Sequence, residues 1–251
     1  MILIIFYRSA FALKEIIMKI QGSVVLVTGA NRGLGLEFAR QALALGAAKV
    51  YAAARDPAKV TLPGVIPVKL DVTNLADVAS VAVQCPDVTL LINNAGIGRV
   101  GGVTGGDALA VLREQLETNL FGVLHMSNAF APILARNGGG AIFNLLSILS
   151  WVNTPVLGAY GVTKAAAWAL TNSLRIELKA QGTQVTGFHG GFIDTDMVRG
   201  FEAPKATPQD VVSQSFAAIE AGELEVRVDE GTRQVKAALS QGVYLADVLG
   251  A

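Results

Sequence analysis

The chain has 251 residues, of which 52% are hydrophobic and 16% are charged, and its formal net charge is zero. That length suits one large α/β domain and leaves little room for a separate substrate domain. A neutral chain without a basic run excludes most nucleic-acid-binding classes, and a single cysteine, Cys85, excludes an internal disulfide framework and favours the reducing cytoplasm.

The first 17 residues are apolar but are interrupted by Arg8, Lys14 and Glu15. No uninterrupted run approaches the roughly 18–20 apolar residues of a membrane-spanning helix, and no basic segment precedes the apolar part as in a secretory signal. We interpret residues 1–17 as an N-terminal extension, either absent from the natural protein or loosely attached, and residues 18–251 as one domain. The alternative is an amphipathic helix that packs on a partner subunit or a membrane surface.

Strands and helices alternate from residue 23 onward. Short apolar runs, typical of strands buried on both faces, predict strands at residues 23–28, 49–54, 65–70, 88–92, 141–146, 184–188 and 225–228. Helical patterns lie between them at residues 36–45, 77–83, 109–135, 158–180, 208–221 and 234–239. Such alternation indicates right-handed crossovers and a parallel sheet covered by helices on both faces.

Three glycines, Gly29, Gly33 and Gly35, lie between the first strand and the first helix. Glycine allows a tight turn and lets a pyrophosphate approach without meeting a Cβ atom. Free N–H groups at the start of the helix would then bind the phosphate. The spacing is G-x-x-x-G-x-G and not the usual G-x-G-x-x-G, so a simple glycine-rich turn is the alternative.

The end of the second strand bears on which dinucleotide this loop would hold. An NAD site has an acid there to bind the ribose 2′-hydroxyl, whereas this chain has Ala54 followed by Arg55. Arg32, inside the glycine loop, is a second cation. Two guanidiniums suit the 2′-phosphate of NADP(H), so we expect NADP(H) over NAD(H). A solvated charge at the strand end is the alternative for Arg55.

Ser147, Tyr160 and Lys164 could supply acid–base chemistry. In a helix, Tyr160 and Lys164 would lie on one face. A phenol has a pKa of about 10 and is a poor acid–base group at neutral pH, but an adjacent ammonium favours its ionised form. The Ser147 hydroxyl could turn back and donate a hydrogen bond to a carbonyl oxygen. The alternative is an ordinary amphipathic helix that follows a serine-rich loop.

Together these motifs resemble the short-chain dehydrogenase/reductase family, in its single-domain, NADP-preferring branch. The resemblance runs from Ser23 to about Met197 and rests on six motifs in chain order: Thr28-Gly29-x-x-x-Gly33-x-Gly35, Asp71 in Leu-Asp-Val-Thr, Asn93-Asn94-Ala95-Gly96, Asn119, Ser147, and Tyr160-x-x-x-Lys164. It implies a Rossmann-like, doubly wound parallel sheet of six to seven strands with helices on both faces.

The resemblance also implies roles for individual residues. Tyr160 would protonate the substrate oxygen as hydride arrives from the nicotinamide, and Ser147 would orient the carbonyl. Lys164 would hold the nicotinamide ribose and lower the pKa of Tyr160, while Asn119 would fix a water that links Lys164 to solvent. The implied cofactor site, in which Asp71 binds the adenine amino group with Val72 beside it, comprises Gly29, Asn31, Arg32, Gly33, Leu34, Gly35, Arg55, Asp71, Val72, Asn94, Ala95, Gly96, Tyr160, Lys164, Ile193 and Thr195. No metal site is predicted.

One departure from the family follows the sixth strand, where Gly190 occupies the place of a proline. We expect a looser backbone there. We interpret the preceding His189 as a packed or half-buried histidine and not a catalytic one, and His125 as structural.

Residues 195–206 are predicted to form a lid over the substrate, and the glycine-rich loop 98–106 is expected at the same edge of the sheet. The predicted substrate pocket is mostly apolar, which suggests a hydrophobic ketone, aldehyde or secondary alcohol. Its members are Ile148, Leu149, Val152, Asn153, Leu157, Met197 and Phe201.

The leading hypothesis is an NADPH-dependent carbonyl reductase, working in either direction. One alternative is a catalytically silent NADP-binding sensor or scaffold, a class that usually lacks the Tyr or the Lys. Another is a sugar-nucleotide epimerase or dehydratase, which needs a larger substrate domain than the segment after Thr195 provides. The resemblance also implies a homodimer or homotetramer that pairs through the long helix and the Tyr160 helix.

Overall fold

Seven strands lie between residues 18 and 247, the part of the chain that the computed structural model describes. They are β1 (Val24–Thr28), β2 (Lys49–Ala54), β3 (Ile66–Lys69), β4 (Leu90–Asn93), β5 (Ala141–Leu145), β6 (Gln184–His189) and β7 (Glu225–Arg227). They form one parallel sheet in the order β3-β2-β1-β4-β5-β6-β7. The predicted extension at residues 1–17 lies outside the described residues, as do residues 248–251.

Helices cover both faces of this sheet, as the sequence predicted, and the Rossmann-like fold is confirmed. The helices are α1 (Gly33–Ala44), α2 (Leu75–Gln84), α3 (Ala108–Leu116), α4 (Gly122–Arg136), α5 (Gly158–Glu177), α6 (Pro208–Glu220) and α7 (Glu230–Ala237). Within residues 18–247, no helix is both long and apolar enough to cross a membrane.

Each face of the sheet has its own hydrophobic core. On one face, Phe38 of α1 makes edge-to-face contacts with Phe143 of β5 and Phe216 of α6, at centroid distances of 5.6 and 5.5 Å. On the other face, Met126 and Phe130 of α4 pack with side chains from α2, α5 and the central strands. The central strands are buried from both sides, which explains their continuous apolar sequence.

The order of the strands reverses between β1 and β4. The chain runs outward from β1 to β3 and then returns to the other side of β1, where β4 pairs with it from Val25↔Leu90 to Val27↔Ile92. Open α/β sheets bind their ligands in the crevice at such a point, beyond the carboxyl ends of the strands. The fold therefore places the glycine loop after β1 and the Asn93–Gly96 segment after β4 at one crevice.

Two predicted helices differ in the structure. The last helix, expected at residues 234–239, begins four residues earlier, as α7 (Glu230–Ala237). The single helix expected over residues 109–135 is divided into α3 and α4 by a π-helical turn, Glu117–Phe121, which carries Asn119. A π turn accommodates one extra residue without ending the helix, so the segment reads as one helix in the sequence. The buried Asn119 side chain accepts a hydrogen bond from Ile97 N–H and donates to the Ile97 carbonyl, both at 2.9 Å.

Candidate active site

A cavity of about 1130 Å³ lies along the carboxyl ends of the strands, from the glycine loop to the first turns of α5. Ser147 lines it, and so does every residue of the predicted cofactor site: Gly29, Asn31, Arg32, Gly33, Leu34, Gly35, Arg55, Asp71, Val72, Asn94, Ala95, Gly96, Tyr160, Lys164, Ile193 and Thr195. The fold thus brings together two groups of residues that are far apart in the sequence.

The glycine loop has a conformation that side chains would not permit. Gly29 and Gly33 have φ angles of +67° and +54°, which favour glycine. A Cβ atom on Gly35 would lie 2.2 Å from the Gly29 carbonyl oxygen. The loop passes directly into α1, which begins at Gly33 with no side-chain cap on its first N–H groups. These donors and the lack of Cβ atoms fit the pyrophosphate of a dinucleotide.

The segment after β4 is fixed to this loop by hydrogen bonds. Thr28 Oγ1 accepts from the backbone N–H groups of Asn94 and Ala95, at 3.0 and 2.9 Å. Asn94 Nδ2 donates to the carbonyl oxygens of Thr28 and Gly29, at 2.8 and 3.2 Å. The Asn94 amide therefore holds the carboxyl ends of β1 and β4 in one geometry.

Three charged residues, Arg32, Arg55 and Asp71, lie at the end of the cavity near β2. Burial alone would raise the pKa of Asp71, but hydrogen bonds from Thr73 N–H and Oγ1 and the nearby Arg55 guanidinium hold that pKa below its usual value. Arg55 is exposed at the cavity rim. Arg32 instead reaches across to the predicted lid, where its Nη1 lies 3.1 Å from Asp196 Oδ2.

The Ser147 side chain is positioned by a local turn. It caps a short 3-10 helix, Ile148–Ser150, and its Oγ accepts from Leu149 N–H at 3.1 Å. Tyr160 lies in the first turn of α5 and Lys164 in the next turn, with Lys164 Nζ 5.5 Å from the centre of the Tyr160 ring. Lys164 Nζ donates to the Leu145 carbonyl oxygen at 2.7 Å.

Burial has opposite effects on Tyr160 and Lys164, because it disfavours the charged form of each. It raises the pKa of Tyr160 well above its usual value, although a hydrogen bond with the Ser147 side chain opposes this. It lowers the pKa of Lys164 to about 8. In this structure burial therefore outweighs the hydrogen bond from Ser147 to the phenol, and the expected lowering of the Tyr160 pKa by Lys164 stays a prediction.

Asn119 lies behind the cavity wall and does not line it. Besides its two bonds to Ile97, its Nδ2 donates to Thr163 Oγ1 at 3.0 Å, and it therefore ties the π turn to α5. A Cβ atom on Gly96 would lie 3.3 Å from Asn119 Oδ1 and 3.9 Å from Lys164 Nζ. Asn119 and Lys164 thus approach each other around Gly96, and the water-holding role of Asn119 stays a prediction.

Five of the seven residues predicted for the substrate pocket line the cavity. Ile148, Leu149, Leu157, Met197 and Phe201 line the cavity, but Val152 and Asn153 do not. The turn at Ile148–Ser150 directs the chain away from the cavity, so Val152 is fully buried beside Trp151. Asn153 faces α5, where its Oδ1 would lie 2.0 Å from a Cβ atom on Gly161.

The sequence missed several residues of the cavity wall. Those that carried no local signal are Ile97, Thr154, Val156, Phe192, Asp229, Glu230 and Gly231. Gly98 and Val100 lie in the glycine-rich loop that was expected at this edge, and Ala203 and Pro204 lie in the predicted lid. Asp229 caps α7 through Thr232 N–H at 2.7 Å and also accepts from Gly191 N–H at 2.8 Å, and it thereby brings the start of α7 to the cavity.

The backbone at Gly190 is held in place, contrary to the expected looseness. Its carbonyl oxygen accepts from Ile148 N–H at 2.9 Å. A Cβ atom there would lie 2.9 Å from the side chains of both Phe188 and Val228. Glycine is therefore needed because neighbouring side chains fill the space.

Both histidines contact a backbone carbonyl oxygen. His125 Nδ1 lies 3.1 Å from the Val72 carbonyl oxygen, and His189 Nδ1 lies 3.0 Å from the Ser147 carbonyl oxygen.

A parallel sheet with a glycine loop at its reversal point, and a Ser–Tyr–Lys group in the same cavity, defines a class of dinucleotide-binding oxidoreductases. Residues 23–206 match the profile of the short chain dehydrogenase family. The chain belongs to this family.

Similar proteins of known structure include a short-chain dehydrogenase from Burkholderia cenocepacia J2315 in complex with NADP. It is 39% identical to this chain, with a TM-score of 0.87 over 91% of this chain and 98% of that one. A short-chain dehydrogenase/reductase from Burkholderia phymatum in complex with NAD has a TM-score of 0.79 and covers 93% of this chain and all of that one; at 24% identity it shows the fold alone.

Among curated relatives, the 11-beta-hydroxysteroid dehydrogenase A of Sesamum indicum is 31% identical over 194 residues, which are 72% of this chain and 55% of that protein. The short chain dehydrogenase tazN of Aspergillus terreus is 33% identical over 205 residues, 74% of this chain and 44% of that protein. The chain therefore spans about half the length of these two relatives.

Proposed function

We propose that this chain is an NADPH-dependent oxidoreductase that reduces a ketone or an aldehyde to an alcohol, or catalyses the reverse reaction, with Tyr160 as the acid or base. The observation that supports this most directly is the shared cavity: Ser147, Tyr160 and Lys164 line the same cleft as the glycine loop. Acid–base groups and a dinucleotide cradle in one cleft are what hydride transfer requires.

The preference for NADP(H) is supported by charge. Arg32 and Arg55 line the end of the cavity where Ala54 replaces the acid of an NAD site, and two guanidiniums suit a phosphate. The relative from Burkholderia cenocepacia, at 39% identity, was solved with NADP.

A bound nicotinamide would supply or accept the hydride. The residues of this chain would donate or accept the proton. In reduction, negative charge builds on the substrate oxygen and needs donors that are already in place. Ser147 Oγ–H donates a hydrogen bond to that oxygen, and Tyr160 transfers its phenolic proton to it. In oxidation, Tyr160 receives the proton of the substrate hydroxyl.

Lys164 would stabilise the phenolate that remains after proton transfer. Its pKa of about 8 keeps the ammonium mostly charged at neutral pH, and its Nζ lies beside the Tyr160 ring. Nascent negative charge on the phenol oxygen would therefore meet a cation in a poorly hydrated site, where such an interaction is strong.

The substrate side of the cavity favours an apolar compound. The cavity that holds Ser147 and Tyr160 is also lined by the hydrophobic residues Ile148, Leu149, Leu157, Met197 and Phe201. We propose a hydrophobic ketone, aldehyde or secondary alcohol as the substrate class. A screen in which sugars or charged acids are turned over in preference to apolar ketones would contradict this.

The decisive experiment follows NADPH oxidation against a panel of ketones and aldehydes for the parent and for Tyr160→Phe. Because the variant lacks only the phenolic hydroxyl, and with it the transferable proton, turnover is expected to fall by about 10²–10⁴-fold while NADPH binding persists. Tyr244→Phe, at a residue outside the cavity with 55% of its surface exposed, is the matched control. Near-normal turnover in Tyr160→Phe would refute the mechanism, and NADPH binding without turnover of any compound would favour a sensor.

We also propose that the chain acts in the cytoplasm and assembles as a homodimer or homotetramer through α4 and α5. Phe121 in the π turn before α4, and Val162 on α5, expose 38% and 40% of their surfaces. Apolar side chains exposed on these elements support a protein interface there.

A further inference from the structure

A cluster of aromatic and charged side chains lies behind Ser147, outside the cavity. Its central member is His189, the last residue of β6, which is fully buried. His189 Nδ1 lies 3.0 Å from the Ser147 carbonyl oxygen. Because a carbonyl oxygen can only accept a hydrogen bond, Nδ1 must carry the proton in this contact.

We propose that His189 is a positioning residue for Ser147, and that its Nδ1–H fixes the peptide that carries the serine hydroxyl toward Tyr160. This inference rests on the proposed function, because it assumes that the Ser147 hydroxyl acts on the substrate. Ordinary core packing of a histidine is the competing interpretation.

The contacts on either side of Ser147 support this role. Leu146 N–H donates to the Phe188 carbonyl at 3.0 Å, and Ile148 N–H donates to the Gly190 carbonyl at 2.9 Å. His189 binds the residue between them. The last two residues of β6 and the residue after them therefore bind the three residues that follow β5, and the middle bond comes from a side chain.

The His189 ring is held by stacking. It lies against Trp151 with ring centres 3.8 Å apart and planes inclined by 21°. Trp151 in turn meets Trp168 edge-on at 6.4 Å, and Lys236 Nζ lies 4.6 and 5.5 Å from the centres of the two indoles. The imidazole has little freedom to rotate, so its Nδ1–H keeps one direction.

Charged groups face His189 from three packed elements: Glu225 from β7, Lys236 from α7 and Arg175 from α5. Glu225 binds Lys236 at 2.7 Å and lies 3.9 Å from His189 Nε2. Burial lowers the pKa of His189 to about 4; the Ser147 carbonyl and Glu225 oppose this, while Lys236 and Arg175 reinforce it. The ring is therefore neutral at neutral pH, with Nδ1 as its donor.

The second ring nitrogen distinguishes this role from packing alone. His189 Nε2 is buried and has no hydrogen-bond partner among the described residues. A buried polar atom without a partner destabilises the folded state, and an apolar side chain would fill the space without that cost. What the histidine adds is its single hydrogen bond, to Ser147.

Two substitutions separate the hypotheses, because the Nδ2 of asparagine occupies the place of the histidine Nδ1. His189→Asn keeps a donor to Ser147 but loses the ring, and His189→Leu keeps apolar volume but loses the donor. We expect kcat to fall about tenfold or more in His189→Leu, the size of one lost hydrogen bond, with the KM for NADPH unchanged. We expect His189→Asn to recover most of that loss. Better activity in His189→Leu than in His189→Asn would overturn the proposal.

A double-mutant cycle with Ser147→Ala tests whether the effect passes through the serine. If His189 acts only by positioning Ser147, His189→Leu should cost little further activity once the hydroxyl is gone. Equal losses from His189→Leu in the presence and absence of the Ser147 hydroxyl would contradict the proposal.

A measurement without turnover keeps the inference separate from the proposed function. The full chain has two histidines, so ¹⁵N-histidine NMR with His125→Gln for assignment reads the His189 tautomer in the otherwise unchanged protein. We expect a protonated Nδ1, a bare Nε2 and no titration above about pH 5. A protonated Nε2 with a bare Nδ1, or titration near pH 6.5, would overturn the inference even if Tyr160→Phe abolishes turnover.

Discussion

Lys164 and Arg55 are both cationic residues of the cavity, but they differ in solvent exposure. Lys164 exposes 6% of its surface, whereas Arg55 lies open at the rim. Burial makes the charge of Lys164 costly to the fold, and exposure leaves Arg55 available to a ligand. Substitutions at these two residues should therefore change different properties.

Replacing Lys164 with methionine should stabilise the fold while it abolishes activity. The folded-state pKa of Lys164, about 8, lies below its ordinary value of 10.5. At neutral pH the fold must therefore keep a buried charge, and methionine removes that cost. We expect the free energy of unfolding at pH 7 to rise by about 1–2 kcal/mol, measured by urea denaturation.

The stabilising effect of Lys164→Met should depend on pH. Between pH 8 and 10.5 the folded state has released the Lys164 proton and the unfolded state has not, so this group contributes stability that increases with pH. The advantage of Lys164→Met should therefore be largest below pH 8 and should diminish toward pH 10.5. A gain that is independent of pH would contradict the assignment to Lys164.

Replacing Arg55 with alanine should discriminate between the two nicotinamide cofactors. A guanidinium–phosphate contact contributes about 1.5–3 kcal/mol, so the KM for NADPH should rise by about tenfold to a hundredfold and that for NADH should hardly change. Arg136→Ala, at an exposed residue of α4 outside the cavity, is the control. Equal effects of Arg55→Ala on both cofactors would refute the assignment of the 2′-phosphate site.

At the scale of elements, the predicted lid is connected to the glycine loop. The Arg32–Asp196 ion pair joins them, and the Thr195 side chain lies 3.5 Å from the place of a Cβ atom on Gly33. The ion pair with Asp196 should weaken the binding of a 2′-phosphate by Arg32, because the carboxylate and the phosphate compete for the same guanidinium. Cofactor binding and the position of the lid should therefore influence each other.

Replacing Asp196 with asparagine should free Arg32 for the cofactor. Both partners are exposed, and exposed ion pairs contribute less than about 1 kcal/mol, so NADPH should bind up to about fivefold more tightly. Asp194→Asn is the matched control, since Asp194 is exposed and does not line the cavity. Fluorescence titration with NADPH would measure the change, and weaker binding in Asp196→Asn would contradict the competition.

Local sequence predicted the elements but not how their ends meet. The buried strands were predicted correctly because short continuous apolar runs are typical of strands that are covered on both faces. The π turn at Asn119 was missed because helical segments continue on both sides of it. The contacts of Asp229 with Gly191 and of His189 with Ser147 join residues far apart in the chain, and no local pattern reports such pairs. Val152 and Asn153 were misplaced because a single short turn changes the direction of the chain.

At the scale of the whole molecule, the surface of α4 and α5 should bring copies of the chain together. Light scattering should give a dimer or tetramer, because exposed Phe121 and Val162 would be buried on assembly. Val162→Asp should shift the distribution toward the monomer, since a charge in an apolar interface is costly. Val83→Asp, at an exposed valine of α2, is the control. A parent protein that is monomeric would refute this arrangement.

The start of α7 forms one wall of the cavity, and its residues are not equally replaceable. Asp229 caps the helix and holds Gly191, so a change there would loosen two segments at once. Gly231 has room for a side chain, because a Cβ atom there would contact only Asp229 Oδ1, at 3.5 Å. A larger side chain at residue 231 should therefore narrow the cavity, and with it the range of compounds that fit, without breaking the hydrogen bonds that Asp229 makes.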